Sequence, residues 1–178
     1  MEDFILEERV AEATKGRYDS SLPVKLIDFW KLYGFGSIAE GYIKVINPDE
    51  YIGLLNALYT SPIHAEPIPM MITGLGDFIV WENGYTVLVN LRKGNTSVIE
   101  SGFDFFLDDV SDDDFLTDEL ENFNYKEAVA KEGSLAFEEC FAHFPLLGMG
   151  GTERVDNLKT VKIREYISIV AQALGQIQ

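Results

Sequence analysis

The dipeptide Asn83-Gly84 separates two apolar runs, residues 77–82 and 85–91. A two-residue Asn-Gly link is the strongest short-range signal for a β-hairpin, because its type I′ turn needs left-handed backbone at both central positions. The feature commits the middle of the chain to antiparallel strands. Val87, Val89 and Leu91 alternate with Leu88 and Asn90 in the return strand, Gly94-Asn95 turns the chain again, and residues 96–100 form a further strand. Upstream, residues 42–46 and 70–73 are two more apolar strands, the second behind a loop holding Pro62, Pro67 and Pro69. The expectation is an α+β fold with a central antiparallel sheet and helices packed on it.

The helices follow from spacing and stop signals. Residues 4–15 form a first helix that Gly16 ends. Ser21-Leu22-Pro23 opens a second, with Ser21 as cap and Leu26, Ile27, Phe29, Trp30 and Tyr33 as its apolar stripe. Gly34 and Gly36 stop it and supply positive φ. Asn47-Pro48-Asp49-Glu50 opens a third, with Asn47 as cap and two acids at the positive end of the dipole; Tyr51, Leu54, Leu55 and Leu58 lie along it. Beyond Gly102 the pattern turns helical and acidic. Short helices are expected at residues 103–109, 112–116 and 125–131, with another candidate at 137–143. Residues 145–148 read as a strand entering a glycine turn. The last helix, residues 163–174, carries Ile163, Tyr166, Ile167, Val170 and Leu174 on one face. Two regions are expected, 1–100 and 101–178, packed as one compact unit.

Charge narrows the class of partner. The net charge is −16, so direct binding to nucleic acid or to an anionic membrane surface is disfavoured: phosphates require Lys and Arg to displace their counterions. A basic protein fits best among macromolecules. No apolar run approaches the roughly 20 residues that span a bilayer. The opening Met1-Glu2-Asp3-Phe4 is acidic where a secretory leader is basic, and Cys140 is a lone cysteine; both point to the cytoplasm.

Enzymatic chemistry finds no signature. The histidines are His64, in the proline-rich loop, and His143. On a helix, Glu139, Cys140 and His143 would share a face, but further ligands for a metal are missing. Residues 104–115 lack the central glycine of a calcium-binding loop and place Asp112, Asp113 and Asp114 consecutively. Gly148-Met149-Gly150-Gly151 lacks the lysine and spacing of a phosphate loop and reads as a tight turn. The reading is therefore no catalytic residue, no metal and no cofactor. Asp77 reads as a turn acid.

The unusual segment is acidic. Residues 1–92 hold 13 acids and 7 bases, whereas residues 93–178 hold 17 acids and 7 bases. Between Lys93 and Lys126 there is neither Lys nor Arg, but Glu100 and a run of Asp104, Asp108, Asp109, Asp112, Asp113, Asp114, Asp118, Glu119 and Glu121. The bland interpretation is a solvated face that favours solubility. The functional one is a surface that mimics polyphosphate and meets the basic groove of a nuclease; the nine residues from Asp104 to Glu121 are its candidate contacts. Phe103, Phe105, Phe106, Phe115 and Phe123 anchor these helices to the core, with one or two left as interface anchors.

Residues 18–51 read YDSSLPVKLIDFWKLYGFGSIAEGYIKVINPDEY. The Leu-Pro helix start, the Phe-Trp pair, the Tyr-Gly-Phe-Gly stop and Asn-Pro-Asp-Glu-Tyr resemble the opening of the GAD-like domain. Thr73-Gly74-Leu75-Gly76-Asp77 with Trp81 is similar to that family's strand entry. Phe144-Pro145-Leu146-Leu147-Gly148-Met149-Gly150-Gly151 and the final helix resemble the C-terminal domain fused to it in immunity proteins against type VI secretion effectors, DNases among them, a group broadly similar to SUKH (SMI1/KNR4-like) proteins. The resemblance implies a SUKH-like α+β fold, no catalytic motif, no cofactor, and a toxin as ligand. The rival expectations are a SUKH-type adaptor without a toxin partner, and an enzyme or small-ligand binder with a pocket at Cys140 and His143.

Overall fold

In the computed structural model, which describes residues 3–177, a seven-stranded sheet dominates. Its strands are β1 (Ile5–Glu8), β2 (Phe35–Ile38), β3 (Ile43–Val45), β4 (Ile68–Thr73), β5 (Phe78–Glu82), β6 (Tyr85–Asn90) and β7 (Asn95–Ser101). They lie side by side in sequence order, each antiparallel to the next. Asn83 and Gly84 take φ of 49° and 88°, the left-handed pair that their turn demands. The hairpin fixes the register: Glu82 faces Tyr85, and Phe78 faces Val89.

Both faces of the sheet are covered, which explains why β4 to β6 read as almost unbroken apolar runs. Alternate residues of β5 and β6 belong to different clusters. Ile79 and Leu88 join Leu26, Trp30, Phe103, Phe106, Leu116 and Tyr125 on one face. Phe78, Val80, Val87 and Val89 join Tyr51, Leu55, Tyr166, Ile167 and Val170 on the other. The first face is covered by α2 (Val24–Leu32) and the acidic helices α4 (Phe106–Asp109), α5 (Asp113–Asp118) and α6 (Tyr125–Glu132). The second lies under α3 (Pro48–Leu58) and α7 (Ile163–Leu174). The Asn47 side chain accepts the Asp49 N–H at 3.2 Å and caps α3 as its sequence requires.

Several local expectations are corrected. Residues 4–15 are not one helix. β1 pairs with β2, and α1 (Glu12–Tyr18) contains Gly16 instead of ending there. Sheet pairing overrides the local pattern, and Gly36 permits it: a Cβ there would collide with the Ile5 carbonyl oxygen, so this glycine serves close approach and not positive φ. Gly34 does take φ +98°. Ser21 caps nothing; Pro23 holds the N-cap of α2 without a side-chain hydrogen bond. Residues 137–143 are not helical, because β8 (Glu139–His143) pairs with β9 (Leu158–Lys162) in a separate two-stranded sheet. Residues 145–148 lead into a 3₁₀ turn at Leu147–Met149, not a strand.

Candidate partner-binding surface

The acidic segment is built from the inside outward. Phe103, Phe106, Val110, Leu116 and Leu120 are buried, and the Phe103 and Phe106 rings stack at 5.3 Å. Phe115 packs edge-on against Phe106 at 5.9 Å. With these side chains turned in, Asp104, Asp108, Asp109, Asp112, Asp113, Asp114, Asp118 and Glu119 are all exposed. Asp112 caps α5 by accepting the Asp114 N–H at 2.8 Å. Asp113 pairs with Lys126 at 2.8 Å. The others have no cationic side chain within salt-bridge distance in the described residues, so their charge faces solvent. Phe105 and Phe123 are 66% and 46% exposed, large apolar groups set among the carboxylates.

Beside these helices lies a cleft of about 520 Å³, formed where the β2–β3 turn meets α4, α5 and α6. Asp3, Glu40, Asp108 and Asp113 line it, with Lys126 as the one cation and Tyr42 and Tyr125 among its other walls. A cleft bordered by four carboxylates concentrates negative potential and suits a cationic side chain.

Glu121 stands apart from the other eight acids. It turns back onto the protein, where Lys93 Nζ lies 2.7 Å and Asn90 Nδ2 3.0 Å from its Oε2. Partial burial works against its charge, but the hydrogen bond from Lys93 and the nearby Arg92 charge hold its carboxyl below the usual range. Its role is internal.

That role belongs to a buried ion network that sequence reasoning missed. Asp77 and Arg92 are both fully enclosed, with Arg92 Nε donating to Asp77 Oδ2 at 2.7 Å. Asp77 Oδ1 also accepts the backbone N–H groups of Leu91, at 2.8 Å, and Arg92, at 3.3 Å. Burial raises the Asp77 carboxyl, while Arg92 and these backbone donors oppose the shift. The guanidinium reaches on to Glu121 and Glu153, each at 3.6 Å. The turn acid of the sequence is thus a structural anchor. Counting outward from Asn83-Gly84 would have placed Asp77 opposite Asn90 and beside Arg92, which is the signal that was available.

The same strand entry docks the C-terminal half. A Cβ on Gly74 would sit 2.4 Å from the ring of Tyr125, and one on Gly76, at φ +85°, would sit 2.5 Å from the ring of Tyr166. Tyr125 also packs edge-on against Tyr42 at 4.9 Å, and the Tyr42 hydroxyl donates to the Leu120 carbonyl at 2.7 Å. The two glycines are small because aromatic rings from helices α6 and α7 rest on them.

Cys140 and His143 do not share a face. On a strand, residues three apart point to opposite sides. Cys140 is buried against Gly76, and burial pushes its thiol far above the ordinary value. His143 is 3% exposed, and burial followed by the Arg92 charge lowers its pKa. Among the described residues no group of three or more His, Cys, Asp or Glu side chains is placed to hold a metal ion. Nor is any described helix long and apolar enough to cross a membrane.

These features define a class: an α+β protein with a seven-stranded meandering sheet, an acidic helical face, and a buried Asp77–Arg92 pair that the part-exposed Glu121 and Glu153 of the second half approach. The crystal structure of Atu4351 from Agrobacterium tumefaciens has a similar fold, at a TM-score of 0.72 and 18% identity over 96% of this chain and 86% of that one. Residues 1–93 match the model of the GAD-like domain, and residues 100–173 match that of the T6SS immunity protein Tdi1, C-terminal. The chain belongs to the GAD-like domain family, and the match of its C-terminal part supports an immunity role, which implies a toxin or effector as partner. No curated protein matches it in sequence.

Proposed function

We propose that the protein neutralises a type VI secretion nuclease effector by one-to-one binding, and that the acidic helical face meets the effector's basic, substrate-binding surface. The observation that supports this most is the arrangement of eight exposed carboxylates over a buried phenylalanine core, in a stretch without Lys or Arg between Lys93 and Lys126. Carboxylates on and beside short helices present a dense field of negative charge, as a nucleic-acid backbone does. Such a surface accelerates encounter and disfavours partners that are not basic. Phe105 and Phe123 supply apolar contacts that carry affinity once the charges have steered the encounter. No cofactor, bound nucleic acid or membrane enters this account, and the site of action is the cytoplasm.

The test spares Asp112, whose loss would cost α5 its cap. Changing Asp108, Asp109, Asp114 and Asp118 together to Lys leaves the fold intact. It slows association with the effector by roughly ten- to a hundredfold at low salt, and the difference shrinks as salt is raised. An association rate that is unchanged by both the substitutions and the salt would remove this face from the interface.

A further inference from the structure

On the sheet face opposite the one that the acidic helices cover, β5, β6 and β7 and the loop after α3 form a pocket of about 280 Å³. Its walls are mostly apolar or aromatic, with Tyr59 and Ile63 from the loop, Tyr85 and Val87 from β6, and Val98 from β7 beside the polar Thr96 and Ser97. Glu82 of β5 also lines it. Ile63, Tyr85 and Val98 are 56%, 41% and 58% exposed, so three large apolar side chains stand around its mouth. β7 is the last strand of the sheet, and its outer edge is open in the described residues.

Glu82 is the unusual member. It is 4% exposed, and the Tyr59 hydroxyl donates to its Oε2 at 2.8 Å. Its Oε1 is buried and accepts no hydrogen bond. No Lys or Arg of this chain lines the pocket. Burial together with this carboxylate raises the Tyr59 phenol well above its ordinary value, so the tyrosine stays a hydrogen-bond donor. A buried carboxylate with an idle oxygen is costly to hold unless a cation completes it. The sequence places it there through the hairpin register: Glu82 pairs with Tyr85, on the face that carries Val80 and Val87, where another apolar residue would be expected.

We propose that this pocket receives an arginine side chain of the effector, whose guanidinium pairs with Glu82 Oε1 while its stem and plane pack against Tyr59, Tyr85 and Val98. A guanidinium fits better than an ammonium, because it is planar, weakly hydrated and stacks on aromatic rings. The proposal takes its partner from the immunity reading above. It adds a second contact, apolar and desolvated, of the kind that holds a complex together after charge steering has formed it.

The first arm of the test uses the full chain with N-acetyl-arginine amide, and N-acetyl-citrulline amide as its neutral isostere. Backbone amide shifts in a nuclear magnetic resonance titration should saturate with the arginine compound at Glu82, Tyr85 and Val98. Citrulline should bind at least about tenfold more weakly, as should arginine to Glu82→Gln, which keeps the acceptor for Tyr59. Absence of saturable shifts at these residues, or equal binding of both compounds, overturns the pocket's cation chemistry and leaves the immunity reading intact. The second arm measures dissociation of the effector from wild type, Glu82→Gln and Val98→Lys, the last placing a cation of this chain at the mouth. Both variants should dissociate at least about tenfold faster. Unchanged dissociation overturns the effector as the source of the arginine. If the arginine compound binds but no effector does, the immunity reading fails and the cation pocket stands.

Discussion

Removal of the Asp77 carboxylate is the perturbation with the largest effect that the structure allows to be worked out. In Asp77→Ala the Arg92 guanidinium stays charged and enclosed, while the N–H groups of Leu91 and Arg92 lose their acceptor. Breaking one side of a buried pair costs about 3–5 kcal/mol. Glu121 and Glu153, each 3.6 Å from the guanidinium, compensate part of the charge and favour the lower half of that range. Arg92→Met leaves the opposite problem, a buried carboxylate that retains two backbone donors. Burial already raises that carboxyl, so without Arg92 it takes up a proton as pH falls, and the variant's deficit narrows in acid. The double variant has neither charge and should cost less than the sum of the two by more than about 2 kcal/mol. Urea unfolding at neutral pH, with unchanged m-values as the check on two-state behaviour, measures all three. If Asp77→Ala costs less than about 1 kcal/mol, or the two changes are additive, the ion network is not what locks the strand entry.

Other outcomes follow from the same packing. Gly74→Ala forces the Tyr125 ring off its seat and should destabilise by about 1–3 kcal/mol, and combining it with Tyr125→Ala should recover part of that loss. Lys44 is buried, donates to the Ala136 carbonyl at 3.1 Å, and burial lowers its pKa to about 8. Its folded value lies below the unfolded one, so the charged lysine opposes folding at neutral pH and ceases to do so as pH rises through the window from about 8 toward the unfolded value. Lys44→Met should therefore gain about 1–3 kcal/mol at pH 7 and lose that advantage in alkali, as read by chemical denaturation across pH. His143 acts in acid: its folded pKa is lowered, so stability contributed by its neutral form falls as pH drops below the unfolded value, and His143→Phe should flatten that part of the profile.

The parts of the fold that were legible in the sequence are those set by local chemistry. Asn83-Gly84 dictated a hairpin, Asn47-Pro48 a capped helix, and Ile163–Leu174 emerged with its expected bounds from one apolar stripe. The misread parts depend on distant partners. β1 is a strand because β2 lies beside it, and residues 139–143 are a strand because β9 does. A short segment such as Glu139–His143 is compatible with either state until its neighbour is known. The acidic face was visible as composition, but not which of its members faces inward. Glu121 was indistinguishable in sequence from Glu119, and only the folded position of Lys93 separates them. Asp77 and Glu82 were read as part of a strand and its entry; their burial follows from coverage of both sheet faces, which no local pattern announces.

The central claim is neutralisation by stoichiometric binding. The chain, tagged and expressed in its native cell, is used to capture its effector, and the purified effector's DNA cleavage is then titrated with purified protein. Activity should fall linearly and vanish at one equivalent, with no recovery on dilution over minutes. Capture of no effector, or of one that still cleaves DNA at full rate when saturated with this protein, would contradict the account.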